Sequence, residues 1–119
     1  MIRILVVDDR IDFRLAFVGL LEDQTDLKVV GQAGSLAEAR TMLEGIDVAL
    51  IDRGLSDGDG LDLVGPLREV NQGARVFVIS STAEMVHPTD ATQAGAEGVI
   101  DKLDPPEWVI AAIRGEGGG

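Results

Sequence analysis

The sequence predicts an α/β fold, a doubly wound (βα)5 domain built around a five-stranded parallel sheet. Three observations carry that expectation. Five short apolar runs alternate with segments of helical spacing. Three of those runs are continuously apolar rather than alternating, as in strands covered by helices on both faces. Polar residues with chemistry (Asp8, Asp9, Asp52, Ser80 and Lys102) stand at the ends of the runs.

The first run, Ile2-Arg3-Ile4-Leu5-Val6-Val7, leads into a helix whose apolar face is Phe13, Phe17, Leu20 and Leu21, at i, i+4, i+7 and i+8. Ile11, Leu15 and Val18 form a second apolar stripe on that helix. The second run is Leu27–Val30. After it, Ser35-Leu36-Ala37-Glu38 is a capping box opening a helix with Leu36, Ala39 and Leu43 inward. The third run, Val48-Ala49-Leu50-Ile51, precedes a helix with the stripe Leu61, Val64 and Leu67, which Pro66 should kink or shorten. The fourth, Val76-Phe77-Val78-Ile79, is followed by Thr82–Ala94, a stretch with Pro88 and several threonines that predicts a short or irregular helix. The fifth, Gly98-Val99-Ile100, precedes a helix opening at Pro105 or Pro106 and ending near Arg114. Residues 1–114 thus read as one domain, and Gly115–Gly119 as a flexible tail or the start of a linker.

The chain has 119 residues and a formal net charge of −11. With 10 Lys+Arg against 21 Asp+Glu, it does not read as a nucleic-acid binder, because phosphates are held by cations. The absence of cysteine removes disulfides, thiolate metal sites and thiol nucleophiles, and a single histidine, His87, removes multi-histidine sites. No run approaches a membrane span or a signal peptide, and a soluble cytoplasmic domain is expected.

In a parallel sheet the C-terminal ends of the strands share one edge, where ligands bind. Asp8, Asp9, Asp52, Ser80 and Lys102 should therefore meet there. Singly, each has an ordinary role: helix cap, turn aspartate, solvated lysine. Together, three carboxylates repel one another unless a cation and an ammonium relieve them. An oxygen-only set suits Mg²⁺ or Mn²⁺, with Lys102 supplying the remaining charge. A carboxylate so placed is a nucleophile toward a phosphoryl group. Asp57-Gly58-Asp59-Gly60 lacks the ligand spacing of a calcium loop and reads as a turn and helix cap. A flavodoxin-type cofactor site is excluded, since Asp8-Asp9-Arg10-Ile11-Asp12 would repel a bare phosphate.

The segments Ile4–Asp9, Val48–Asp52, Phe77–Ser80 and Gly95–Lys102, in that order and spacing, resemble a bacterial response-regulator receiver domain. The resemblance implies the flavodoxin-like strand order 2-1-3-4-5. It also implies a signalling switch in which Asp52 accepts a phosphoryl group from the phosphohistidine of a sensor histidine kinase. By the same likeness Asp8, Asp9, Asp52 and the backbone carbonyl of Gly54 hold Mg²⁺ (or Mn²⁺). Lys102 and Ser80 meet the phosphoryl oxygens, and Ser81 is the small residue beside them. Val29–Ala33 and Pro106–Arg114 are most similar to receivers that precede a helix-turn-helix output domain. The family's docking helix corresponds to the stripe Ile11, Leu15 and Val18. Its dimer and output face corresponds to the fourth helix, fifth strand and fifth helix, where Trp108 stands. The chain departs from the pattern at Val99, where the family has an aromatic switch residue. It departs again at Ser56 for proline, at Arg53, which has aspartates nearby to pair with, and at Leu103. An alternative reading is a degenerate receiver that works as a phosphorylation-independent binding module.

Overall fold

The computed structural model describes residues 1–80 and 92–115. Five parallel strands form one sheet: β1 (Ile2–Val7), β2 (Leu27–Ala33), β3 (Val48–Asp52), β4 (Arg75–Ser80) and β5 (Gly98–Asp101). Their spatial order is β2-β1-β3-β4-β5, as expected. Among the described residues the helices between strands are α1 (Ile11–Glu22), α2 (Leu36–Ala39) and α3 (Val64–Val70), and a C-terminal helix follows at Pro106–Arg114. The expected helix at Thr82–Ala94 falls mostly outside the described residues, as do Ser81, His87 and the glycine tail beyond Gly115.

Continuous burial along the central strands explains their unbroken apolar runs. Ile4–Val7 have no exposed surface, and every residue of β3 is buried. Alternate side chains feed two cores. Leu5, Val7, Ala49, Ile51 and Val76 pack with Leu36, Ala39, Leu63, Val64 and Leu67 of α2, α3 and the turn before it. Ile4, Val6, Val48, Leu50, Phe77, Ile79 and Ile100 pack with Phe17 and Leu21 of α1 and Val109 and Ile113 of the C-terminal helix. The sheet is thus sandwiched between two helix layers.

Three helices differ from the sequence expectation. On α1, Leu20 is 41% exposed, not core, while Val18, placed on the outer stripe, packs partly buried against the core. The inner face is centred between Phe17 and Leu21, so Val18 falls on its flank and Leu20 on its rim. Ile11 and Leu15 are exposed as expected.

The helix expected to reach Leu43 ends at Ala39. Its capping box forms in a shifted version. Ser35 Oγ accepts from the Glu38 N–H (3.1 Å), while Glu38 Oε1 accepts from Gly34 N–H (2.7 Å) instead of Ser35. Beyond Ala39 the backbone finds other partners. The Asn71 amide donates to Leu43 O, and Asn71 Oδ1 accepts from Ile46 N–H (3.0 Å). At the other end Asp57, from the loop after β3, accepts from Leu36 N–H (2.9 Å) and Ala37 N–H (3.1 Å). Those two bonds hold the Asp57 carboxyl below its ordinary range.

The third helical stretch divides into a 3₁₀ turn, Gly60–Leu63, and α3. Pro66 is the third residue of α3, in the first turn, where a missing N–H leaves no intrahelical bond unmade. Asp59 Oδ1 caps the 3₁₀ turn at Leu61 N–H (2.9 Å), the helix-cap role expected for this segment. The C-terminal helix starts at Pro106 and closes on Gly115 in the left-handed region (φ +75°). Arg114 grips Asp26 with two 2.8 Å bonds, anchoring its last turn. No helix among the described residues is long and apolar enough to cross a membrane.

Candidate functional site

The parallel register brings the predicted site residues to one edge. Asp8 follows β1, Asp52 ends β3, Ser80 ends β4 and lies opposite Asp101, and Lys102 follows β5. Asp8 and Asp52 are fully buried at 0% and 1% exposure, Ser80 is buried, and Asp9 is exposed. Carboxylate oxygens of Asp8, Asp9 and Asp52 lie within 4.8 Å of one another.

The two buried carboxylates are held alike. One oxygen of each is fixed by a backbone N–H two residues on: Arg10 N–H to Asp8 Oδ1 (2.8 Å) and Gly54 N–H to Asp52 Oδ1 (3.0 Å). The other oxygen of each faces Lys102 Nζ at 3.1 Å. The ammonium is aligned for a hydrogen bond with Asp52 Oδ2 but not with Asp8 Oδ2, a buried oxygen left with an ion contact and no directed donor. Lys102 is itself set by its backbone N–H donating to Ser80 O (2.8 Å).

These contacts set the proton affinities. Burial pushes the Asp8 carboxyl up, against the Arg10 N–H and Lys102, and the Asp52 charge pushes it further. For Lys102, burial alone would lower the ammonium's affinity. The bonds and charges of Asp8 and Asp52 outweigh it, so the net direction is up. One ammonium therefore serves two buried carboxylates, with a third, Asp9, exposed beside them. An oxygen-only set of three carboxylates, with a buried oxygen lacking a directed donor, fits a hard divalent cation such as Mg²⁺ or Mn²⁺.

The raised Asp8 pKa has a stability consequence. An acid whose pKa is higher folded than unfolded gains nothing from ionising. Its penalty is absent below the ordinary value of 3.8 and complete above the raised one. Asp8→Asn is therefore expected to raise the melting temperature by a few degrees at pH 7 in chelator, a gain that vanishes in acid below that ordinary value. The same change should weaken Mg²⁺ binding by more than about tenfold in calorimetric titration. Lower stability in chelator at neutral pH would contradict the charge balance described.

Arg53 pairs with Asp59 (3.2 Å), one of the nearby aspartates, and its N–H donates to Ile79 O. Val99, three before Lys102, is half-buried and packs with Val78 and Ala96. Gly54 is exposed, and Leu103 is 79% exposed. Two neighbours of the site were not legible as such in the sequence. Arg14 donates to Asp8 O (2.8 Å). Phe13, expected only as core, places its ring centroid 4.7 Å from Lys102 Nζ. The helical spacing that marks Phe13 as inward also describes an ordinary core phenylalanine, so no sequence signal separates the two.

Fold and site define a doubly wound domain with an acidic, lysine-bridged pocket at the C-terminal edge of its sheet. Residues 4–114 match the response regulator receiver domain, and the chain belongs to that family of two-component signalling domains. It is similar to the DNA-binding transcriptional activator DevR/DosR of Mycobacterium tuberculosis, 33% identical over 121 residues, covering 100% of this chain and 56% of that protein. It is similar also to the response regulator UvrY of Escherichia coli, 31% identical over 116 residues, covering 96% of this chain and 53% of that protein. The chain spans about half the length of these curated relatives. Among solved structures, the signal receiver domain of the response regulator NarL from Mycobacterium tuberculosis superposes with a TM-score of 0.79 at 28% identity, covering 97% of this chain and 98% of that one. A receiver domain from Clostridium thermocellum gives 0.84 at 21% identity, with 97% and 93% covered, a likeness of fold.

Proposed function

We propose that this domain is a phosphorylation-controlled signalling switch. Asp52 accepts a phosphoryl group from the phosphohistidine of a sensor histidine kinase. The observation that supports this most is the pairing of two buried carboxylates on a single ammonium, with a third carboxylate at the mouth. An Asp52 carboxylate oxygen forms the new bond to phosphorus, and the bond from phosphorus to the donor nitrogen breaks. Asp8, Asp9, Asp52 and the Gly54 carbonyl would hold Mg²⁺, which when bound offsets charge on the phosphoryl oxygens. Lys102 turns from Asp52 to those oxygens, and Ser80, buried at the end of β4, supplies a hydroxyl to them. Return to the resting state is slow hydrolysis of the acyl phosphate by the domain itself.

In this reading residues 1–114 are the receiver, and the domain works in the cytoplasm. Its partners are the kinase, met by exposed Ile11 and Leu15 with Val18 at the patch's inner edge, and an output domain, partner protein or second copy. The latter meets the side of β5 and the C-terminal helix, where Trp108 is 63% exposed. The names of the relatives favour transcriptional output, with DNA contacted by that output domain and not by this acidic one. A second reading, a degenerate receiver that only binds proteins, draws support from Val99 in place of an aromatic residue.

Intact mass after incubation with acetyl phosphate and Mg²⁺ separates the two. The switch predicts a single phosphoryl adduct, lost in chelator and in Asp52→Asn. No adduct in any sample, with Mg²⁺ binding confirmed, would leave the binding module.

A further inference from the structure

We propose that Phe13 is a positioning residue for Lys102, its ring face holding the ammonium on the side of Asp8 and Asp52 during phosphoryl transfer. The inference rests on the proposed role of Lys102 in that transfer. Lys102 Nζ has two carboxylate oxygens at 3.1 Å and the Phe13 centroid at 4.7 Å, within cation–π range. The ring is itself steadied by stacking on Phe17, with centroids 5.5 Å apart and planes 27° apart. Phe17 is buried in the core, so the pair extends a rigid element to the ammonium.

A reason for such a hold lies next to it. Phe13 and Lys102 both line a cavity of about 100 Å³ that also takes in Ala16, Leu20, Asp101 and Asp104. Lys102 therefore borders free space on this side, as do the residues Asp101 and Asp104. Those carboxylates already accept backbone bonds, Asp101 Oδ1 from Leu103 N–H (2.8 Å) and Asp104 Oδ2 from Asp101 N–H (3.0 Å). When Lys102 leaves Asp52 Oδ2 for the incoming phosphoryl group it gives up one partner. The ring face is a partner that does not have to be exchanged. With acetyl phosphate as donor, an Asp52 oxygen bonds to phosphorus while the bond from phosphorus to the acetyl oxygen breaks. Acetate leaves with the electron pair, and Lys102 stays protonated throughout.

The test compares wild type, Phe13→Leu and Phe13→Tyr in time courses of intact mass with acetyl phosphate and Mg²⁺. Leucine keeps apolar bulk without a π face, whereas tyrosine keeps the face. Phe13→Leu is expected to lower the maximal rate roughly three- to tenfold with the KM for acetyl phosphate unchanged. Phe13→Tyr should return it to within about twofold of wild type. If leucine does not fold, pentafluorophenylalanine at position 13 keeps the shape and reverses the electrostatics of the ring face. A second readout needs neither donor nor metal: the Lys102 ε-methylene NMR resonances, shifted by the ring current in wild type, move to ordinary values in Phe13→Leu and stay shifted in Phe13→Tyr. Wild-type rates in Phe13→Leu, or Phe13→Tyr as slow as leucine, would overturn the assignment. If wild type itself takes no phosphoryl group, the switch reading fails, and the lysine resonances still decide the contact separately.

Discussion

Gly60→Ala is expected to destabilise the domain by about 3 kcal/mol or more, a drop on the order of 10 °C in melting temperature, and to abolish the phosphoryl uptake proposed for Asp52. Gly60 is buried where the loop after β3 turns into the 3₁₀ segment. A Cβ there would stand 2.3 Å from Asp52 O, 3.0 Å from Asp52 C and 2.7 Å from Ile51 Cγ2. Two of those atoms are backbone of the central strand, which is paired on both sides and cannot retreat like a side-chain tip. Relief must come from moving the end of β3, and the Asp52 carboxyl moves with it. Gly19→Ala in α1 is the matched control. Beyond its own helix backbone and chain neighbours nothing lies within 4 Å of the added carbon, no proline follows, and alanine there should be neutral or stabilising by up to about 1 kcal/mol. Thermal unfolding of the two side by side decides the matter. A Gly60→Ala melting curve superimposable on wild type would show that the contact yields at no cost.

The second large effect is expected from Lys102→Met in chelator. Methionine keeps the stem's bulk and removes the charge, leaving Asp8 and Asp52 buried without a counter-ion. Breaking a buried pair from one side costs about 3–5 kcal/mol. Because the Lys102 pKa is raised, its stabilising charge is present at every pH below the ordinary value of 10.5 and is lost only above the raised one. The deficit should therefore persist through neutral pH and narrow in acid, where the Asp8 carboxyl, its proton affinity raised by burial, takes up a proton. Mg²⁺ should recover more stability in this variant than in wild type, since it then takes over the charge that Lys102 supplied to the two buried carboxylates. Urea unfolding with and without Mg²⁺ measures both. Equal stability of variant and wild type in chelator would mean that the carboxylates are not held by this lysine.

The sheet was legible because burial on both faces writes itself as unbroken apolar runs, as in Ile4–Val7 and Val48–Ile51. The site was legible for a topological reason: in a parallel sheet, residues after strand ends must share an edge, so Asp8, Asp52 and Lys102 needed no geometry to be grouped. What escaped was decided by contacts between segments distant in sequence. The length of α2 depends on Asn71, more than thirty residues after its capping box. The exchange of Val18 and Leu20 reflects a helix orientation of less than one residue's rotation. Phe13 reads as core by spacing and is also a neighbour of the ammonium.

The capture of α2 by Asp57 has a consequence for motion. A four-residue helix has too few internal bonds to persist alone. Here its first two N–H groups are held by a side chain from the loop after β3. Leu36 presses on Gly58 of that loop, where a Cβ would come within 2.6 Å. The helix and the loop therefore open and close as one cooperative unit, sharing a single local unfolding free energy. Whatever reshapes the loop after Asp52 is felt on the helix layer beside β2, a route through the molecule separate from the side carrying β5 and Trp108.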